Sequence, residues 1–598
     1  MTKLKNLFAV IVCLAAVAYL FTGSNKARLY VNGKPQYVIV YSAEALPAEM
    51  TAVKELSKYL QLITGAAPQT IVDTEQDKGS YEIVVGRTNR ENGSFAIDRS
   101  VLKNDGLIIQ WHKKSVYLTG REENYGRGTL YAAYEFLRQM GCEFYAKDTE
   151  TIPETKNLKI KKIDTVQESP FLNRDVYWSC VFGEEISAKL RLNGCVTSAD
   201  RNITPAFGGM NTYTLNKYEH TFDQLVPPEE YFDSHPEYFS EINGERSCEH
   251  LYTQLCMTNP DVLKIAVEKA KEWIRQDPDS KVISISQNDS YVIESYCTCD
   301  QCRKINEEEG APSGTLLRFV NSVADGIREE FPDMLVDMLS YQYSAKPPQE
   351  TVPRDYVIVR FCTGACYPHP IAECPHNASV KSNIEGWSKI CKHLHIWDYT
   401  PNFAQYLCPI ANFYSFGPNM RFFRDNGVES VFEQGMYQDG ESGEWGELRA
   451  YVLAKLMWNP DENVDKLIDN FIKAYYGPGA EGVRIYFDLL HKRALEQDIH
   501  FGPAFVCGDM FKNLFSDSDL DSLDKAFEDA ISACPEGSKE LTHVLRTQIS
   551  YRFYKMDCGR AEFAADKEAA EKQFYADCHN LGVTRFNEGE NIPWIEVE

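Results

Sequence analysis

Apolar and polar residues follow three different rhythms along this chain. Between Leu29 and Met140, short strand-like runs mix with helical stripes. Met50, Val53, Leu56, Leu60 and Ile63 recur at three- and four-residue steps across Pro47–Thr64, with Gly65 as the stop. Tyr81–Gly86 reads as a strand, G-L-I-I-Q-W and S-V-Y-L-T-G flank His112–Lys114 as a hairpin, and a striped helix over Gly128–Met140 closes a mixed α/β domain predicted for residues 26–160. From Phe171 the rhythm changes to apolar runs separated by longer segments: Phe171–Trp178, Leu190–Val196, Ile203–Gly208, Lys281–Gln287, Met334–Tyr341, Tyr356–Phe361, His393–Trp397 and Val428–Phe432. Eight strands alternating with helices are what a closed (β/α)8 TIM-like barrel requires, and one is predicted over residues 165–446. Beyond Gly446 the three- and four-residue steps return across Leu448–Trp458, Val464–Tyr476 and Val483–Leu495, then over 518–534 and 538–580, predicting a C-terminal α-helical domain over 447–598.

Length agrees with several domains: 598 residues at about 150 each make three or four. A formal net charge of −25, with no dense Lys/Arg stripe, argues against a nucleic-acid partner and favours neutral or cationic ligands, or an anion held by a few local Arg residues. Residues 1–25 read as an export signal, because Lys3 and Lys5 precede the apolar run Leu7–Phe21. That run is shorter than the roughly 20 residues a membrane span needs, and it continues past Cys13, which argues against lipid attachment there. The expected destination is the periplasm, the cell surface or the medium, with no membrane contact beyond the signal. Seventeen of the 18 cysteines lie after it, an odd number that leaves at least one thiol unpaired within the chain.

Two strings, K-E-L-S-K-Y-L-Q-L-I-T-G-A (Lys54–Ala66) and R-E-E-N-Y-G-R-G-T-L-Y-A-A-Y-E-F-L (Arg121–Leu137), resemble the non-catalytic α/β domain that precedes the barrel in α-glucuronidases and β-hexosaminidases. Further along stand H-T-F-D-Q-L-V-P-P-E-E-Y-F-D-S-H-P-E-Y-F from His220, Q-L-C-M-T-N-P, S-Q-N-D, C-x-C-x-x-C, W-D-Y-x-x-N-F and R-F-F-R-D-N-G-V-E-S-V-F-E-Q-G. Together they resemble DUF4838, a family of secreted bacterial proteins related to α-glucuronidase-like barrels. The resemblance implies a glycosidase-like barrel in glycan degradation and an oligo- or polysaccharide partner, without fixing the sugar.

Glycoside hydrolysis needs two carboxyl groups across the scissile bond, one protonated and one ionised. Asp289, Asp398 and Glu433 follow the predicted strands 4, 7 and 8, so a barrel would open all three onto one face. A single strand-end acid more often caps a helix or pairs with Arg; three together point to chemistry. Glu433 follows Val431 and Phe432, surroundings that would raise its pKa and suit a general acid. The resemblance instead implies a base among the late strand ends, Asp398 and Glu433, and leaves Asp289 as acid, so the roles stay open. Asn288, His220, Tyr341, Trp397, Tyr399 and Arg174 are candidate substrate contacts, with Tyr343 and Asp175 beside them. Their bland alternatives are core aromatics, a satisfied surface histidine and a structural Arg–Asp pair.

Cys297, Cys299 and Cys302 are close enough for a metal knuckle if a fourth ligand such as Cys256 or a His joins them, although a disulfide plus one thiol fits an exported chain as well. No cofactor is expected, and a structural zinc is the one exception considered. GxSxG, Walker-type and HExxH motifs are absent. The expectation is an exo-acting glycoside hydrolase, with a non-catalytic glycan-binding protein on the same barrel as the alternative.

Overall fold

A computed structural model describes residues 25–75, 81–194, 202–210, 213–249, 253–290, 292, 294–560 and 566–594. The predicted export signal falls, up to residue 24, outside the described residues, within which no helix is long and apolar enough to cross a membrane. They form two compact units.

The first unit runs to Phe144 and includes Glu150–Glu168 and Thr204–Gly209. The strands of its main sheet are β1 (Tyr37–Tyr41), β2 (Thr70–Val72), β3 (Tyr81–Val85), β4 (Leu107–His112), β5 (Ser115–Gly120) and β6 (Thr165–Gln167). They form one mixed sheet in the order β6-β4-β5-β3-β1-β2. Helix α1 (Pro47–Thr64) starts at a proline, where a missing N–H costs nothing, and stops at Gly65, which takes φ 85°. Helix α2 (Glu123–Gln139) carries the buried Arg127, whose guanidinium pairs with Asp105 at 2.9 Å and donates to the carbonyls of Gly208 and Gly209 at 2.6 and 2.7 Å.

One predicted barrel strand is corrected here. Ile203–Gly208 contains a 3-10 turn, Pro205–Phe207, and its stretch from Thr204 belongs to this unit. Pro205 fixes its own φ and lacks the N–H a ladder needs, and Gly208 takes φ 101°, so an apolar run that looks extended turns instead.

The second unit is built on β7 (Asn173–Tyr177), β8 (Val282–Ser284), β9 (Leu335–Ser340), β10 (Val357–Cys362), β11 (His393–Tyr399) and β12 (Ser430–Gln434). All neighbours are parallel, in the order β7-β12-β11-β10-β9-β8, a curled half-barrel of six strands. Against the eight strands expected, the sheet holds these six among the described residues. The predicted second strand, Leu190–Val196, is not one over its described part: Leu190 caps the short helix Glu184–Lys189, and Arg191 and Gly194 take φ 60° and 58°, which no strand accommodates. On that side the sheet gains only a single parallel bridge, Tyr213 to Val282, among the described residues.

Successive strand residues point to opposite faces, and both faces are buried. Val336, Met338, Val357, Val359, Ile396 and Val431 join the large core shared with the helices, whereas Val282, Leu339, Ile358, Trp397 and Phe432 form a separate cluster on the other face. The helices include α3 (Pro260–Gln276), α4 (Asp300–Glu309), α5 (Ser313–Ile327), α6 (Ala378–Trp387) and α7 (Phe413–Asp425) between strands. From Gly446 to Asn580 the described elements are helices only, from α8 (Gly446–Trp458) and α9 (Val464–Tyr476) to Lys567–Asn580, and they belong to the same compact unit as the sheet.

Candidate active site

A cavity of about 760 Å³ opens at the carboxyl ends of these strands, lined by Leu339 on β9 and Tyr341 just after it, Cys362 on β10 and Thr363 just after it, Trp397 and Tyr399 on β11, and Phe432 and Gln434 on β12. Parallel sheets place ligands at this end because the chain leaves each strand there in a loop free to vary. The floor is aromatic. Trp397 meets Phe432 edge-on at 4.7 Å, Tyr218 lies 5.6 Å from each of them, and the Trp397 indole N–H donates to Gln434 Oε1 at 2.8 Å.

Beneath the floor, Arg360 is buried against Asp337 at 2.8 Å and sits 3.9 Å from the centre of the Tyr218 ring. The Asp337 carboxylate and the faces of Tyr218 and Tyr213 keep this guanidinium protonated despite its burial. One Nη also donates to the Tyr218 carbonyl, which fixes the segment carrying the next residue, Glu219.

Among the described residues, three carboxyl groups line the cavity: Glu219, Asp289 and Glu588. Asp289 is exposed and accepts from the Tyr341 hydroxyl at 3.2 Å. Burial pushes that phenol up to about 12, so it stays a donor. Glu219 is half-buried; burial lifts its carboxyl above the ordinary range and the Asp289 charge adds to the lift, while Arg360 and His220 oppose it. Glu588 sits at the exposed rim, accepting from Gln434 Nε2 at 3.3 Å and the Tyr437 hydroxyl at 3.4 Å, and is raised by partial burial and by its two acidic neighbours. His220, at φ 49°, lines the same wall and donates from Nδ1 to the Gln287 carbonyl at 2.8 Å.

Of the residues singled out in the sequence, Asp289, His220, Tyr341, Trp397 and Tyr399 therefore meet in one cavity. Others do not reach it. Asn288 is buried beside it, its side-chain Oδ1 accepting the Asp223 N–H at 3.0 Å and its Nδ2 donating back to Asp223 Oδ1 at 2.6 Å. Arg174 is fully buried, donating to the carbonyls of Arg191 and Phe171 at 2.8 Å each, and Asp175 is equally buried. Tyr343 packs against Tyr296.

Asp398 and Glu433 meet each other but not the cavity. They are register partners on β11 and β12 and alternate with Trp397 and Phe432, so they turn to the helix side of the sheet, 6% and 1% exposed. Burial pushes Asp398 up to about 6, against the Thr363 hydroxyl and the Tyr399 N–H that donate to it. Burial also raises Glu433 well above the ordinary carboxyl range and the Asp398 charge adds to it; neither of its oxygens has a hydrogen-bond partner among the described residues.

Glu219 and Glu588 are cavity acids that the sequence reading passed over. Glu219 adjoins His220 in the segment after the Tyr213 bridge, and Glu588 lies in a tail that carries no periodic signal. Among the described residues, three groups have donor atoms spaced for a metal. One is Cys256, Cys297, Cys299 and Cys302; the second is Cys366 and Cys374, 3.3 and 3.6 Å from His500 Nδ1; the third, His369 and Asp498, shares His500 with the second. None of them lines the cavity.

The sequence profile of a family described as a domain of unknown function, DUF4838, matches residues 144–488. No curated protein matches the sequence. Among solved structures the chain is similar to a family GH115 4-O-methyl-α-glucuronidase, BtGH115A, with specificity for decorated arabinogalactans: 12% identity, TM-score 0.54, covering 91% of this chain and 76% of that one. It also matches CpGH84B at 10% identity (TM-score 0.46; 93% and 92% covered) and a GH138 enzyme targeting pectin rhamnogalacturonan II at 10% identity (TM-score 0.43; 92% and 94%). At 12% identity the first likeness shows a shared glycosidase-like fold.

Proposed function

Because this chain belongs to the DUF4838 family and has a glycosidase-like fold, we propose that it is an exo-acting glycoside hydrolase, cleaving an O-glycosyl bond of an oligo- or polysaccharide in the cavity at the strand ends. The observation that carries this reading is the meeting of Glu219 and Asp289 in one aromatic-floored cavity. Hydrolysis needs one carboxyl that holds its proton and one that does not. Glu219, raised by burial, is the acid that hands its proton to the departing glycosidic oxygen. Asp289, exposed and steadied by Tyr341, is the carboxylate that supports the developing positive charge or activates water.

A cavity of about 760 Å³ is of small-ligand size, which suits a terminal residue rather than a long polymer. Its described lining holds three carboxyl groups and neither Lys nor Arg, so a sugar that brings its own carboxylate would find no lysine or arginine there to pair with. The substrate class is accordingly a neutral or amino sugar.

Turnover of aryl glycosides of neutral, amino and uronic sugars tests both points. Glu219→Gln and Asp289→Asn should each lower kcat by about 10²- to 10⁴-fold. A protein that binds a sugar yet turns over none of the panel is a glycan-binding module, and the hydrolase reading then fails.

A further inference from the structure

Beyond the loop that carries Asp289 lies a cluster for which the proposed hydrolysis has no use. Cys297 and Cys299 precede α4, Cys302 lies in its first turn, and Cys256 comes from the segment leading into α3. Three of these cysteines are buried, Cys299 is half-buried, and together they form a small core of their own. All four sulfurs lie within 4.8 Å of one another, with Cys256 Sγ and Cys299 Sγ 3.8 Å apart.

That spacing discriminates between the alternatives. Four thiolates about 2.3 Å from one tetrahedral ion stand about 3.8 Å from each other. A disulfide draws its two sulfurs to about 2.05 Å. The surroundings also suit thiolates. The Glu241 N–H donates to Cys297 Sγ at 3.3 Å and Arg246 Nη1 does so at 3.5 Å, which places donors and a positive charge where sulfur carries negative charge. The Thr258 hydroxyl lies 3.2 Å from Cys302 Sγ.

We infer that Cys256, Cys297, Cys299 and Cys302 bind one zinc ion in a closed, structural tetrahedral site. Four soft thiolates select zinc over hard cations, and four protein ligands leave no position for a substrate. The ion would brace the loop at the cavity from both sides. Two residues before Cys256, the Gln254 side chain accepts the Asn288 N–H at 3.1 Å and donates to the Asn288 carbonyl at 3.0 Å, one residue before Asp289; Cys297 follows the same loop. The site stands whether or not the cavity hydrolyses a glycoside.

Elemental analysis of the purified full-length protein should find one zinc per chain, released by an organomercurial and captured by a colorimetric chelator. Cys299→Ser and Cys302→Ser should lose that zinc, and Cys391→Ser, outside the cluster, should retain it. Should the variants not fold, exchange of cobalt into the unaltered protein gives the same answer through thiolate-to-cobalt charge transfer and the strong visible bands of tetrahedral coordination. Zinc-free protein, a peptide map joining these cysteines in disulfides, or iron in place of zinc would each overturn the assignment.

Discussion

Asp398→Asn should make the protein more stable at neutral pH while leaving the cavity's chemistry intact. The carboxyl is nearly sealed from water, and burial moves it from 3.8 to about 6. Such a displacement corresponds to roughly 3 kcal/mol of differential stability. The folded state holds the proton more tightly than the unfolded chain, so the full stability is present below about pH 4 and is lost as pH rises to about 6. Asparagine keeps the oxygen that accepts from Thr363 and Tyr399 but never ionises. The exchange gives up the charge-assisted part of those two bonds, about 1 kcal/mol, so a gain of about 1–2 kcal/mol is expected above pH 7, shrinking towards zero near pH 4. Denaturant unfolding at both pH values measures it. A loss that is equal at the two, or larger above pH 7, would mean that the carboxylate is a net stabiliser and the argument from burial is wrong. Turnover should stay within a few-fold of the parent; an intact fold with abolished turnover would place Asp398 at the reacting atoms.

Glu219→Gln should lose far less rate on an aryl glycoside whose leaving group needs no proton than on a natural linkage, which a comparison of the two substrates checks. In the parent protein, kcat/KM should fall as pH rises through the raised Glu219 pKa, because only the protonated form donates. Tyr341→Phe removes the hydroxyl that donates to Asp289 and should lower kcat about 5-fold, corresponding to about 1 kcal/mol, with the melting temperature nearly unchanged. Arg360→Met strands the buried Asp337 carboxylate and should destabilise the fold by about 3–5 kcal/mol, with much of the loss restored by adding Asp337→Asn, read in a double-mutant cycle.

Most strands of the half-barrel were legible because they carry a short apolar run buried on both faces; β7, N-R-D-V-Y, is the exception, marked only by Val176 and by Phe171 and Trp178 beside it. Helix α1 was legible to the residue, its stripe bounded by Pro47 and Gly65. The two runs that misled are apolar for other reasons. Leu190 and Leu192 bury themselves around a helix end, and Ile203 precedes a proline-led turn in the other compact unit. Arg191 at φ 60° leaves no mark in the sequence, since nothing about an arginine announces a left-handed backbone.

The site was legible in part, and the part that was not follows from one rule. Neighbouring residues of a strand cannot share a face, so in H-L-H-I-W-D-Y the sequence offers either Trp397 and Tyr399 to a ligand, or Asp398, but not both. An indole on the open side forces the carboxylate behind the sheet, and Phe432 does the same to Glu433 one strand over. Asp289 escapes the rule because β8 ends at Ser284 and the acid stands in the loop beyond, where alternation no longer dictates direction. Glu219 escapes it too, coming from the segment that replaces a strand at the sheet edge. Acids beyond a strand's last rung are thus better candidates for chemistry than acids within it, whose side is already decided by the aromatic next door.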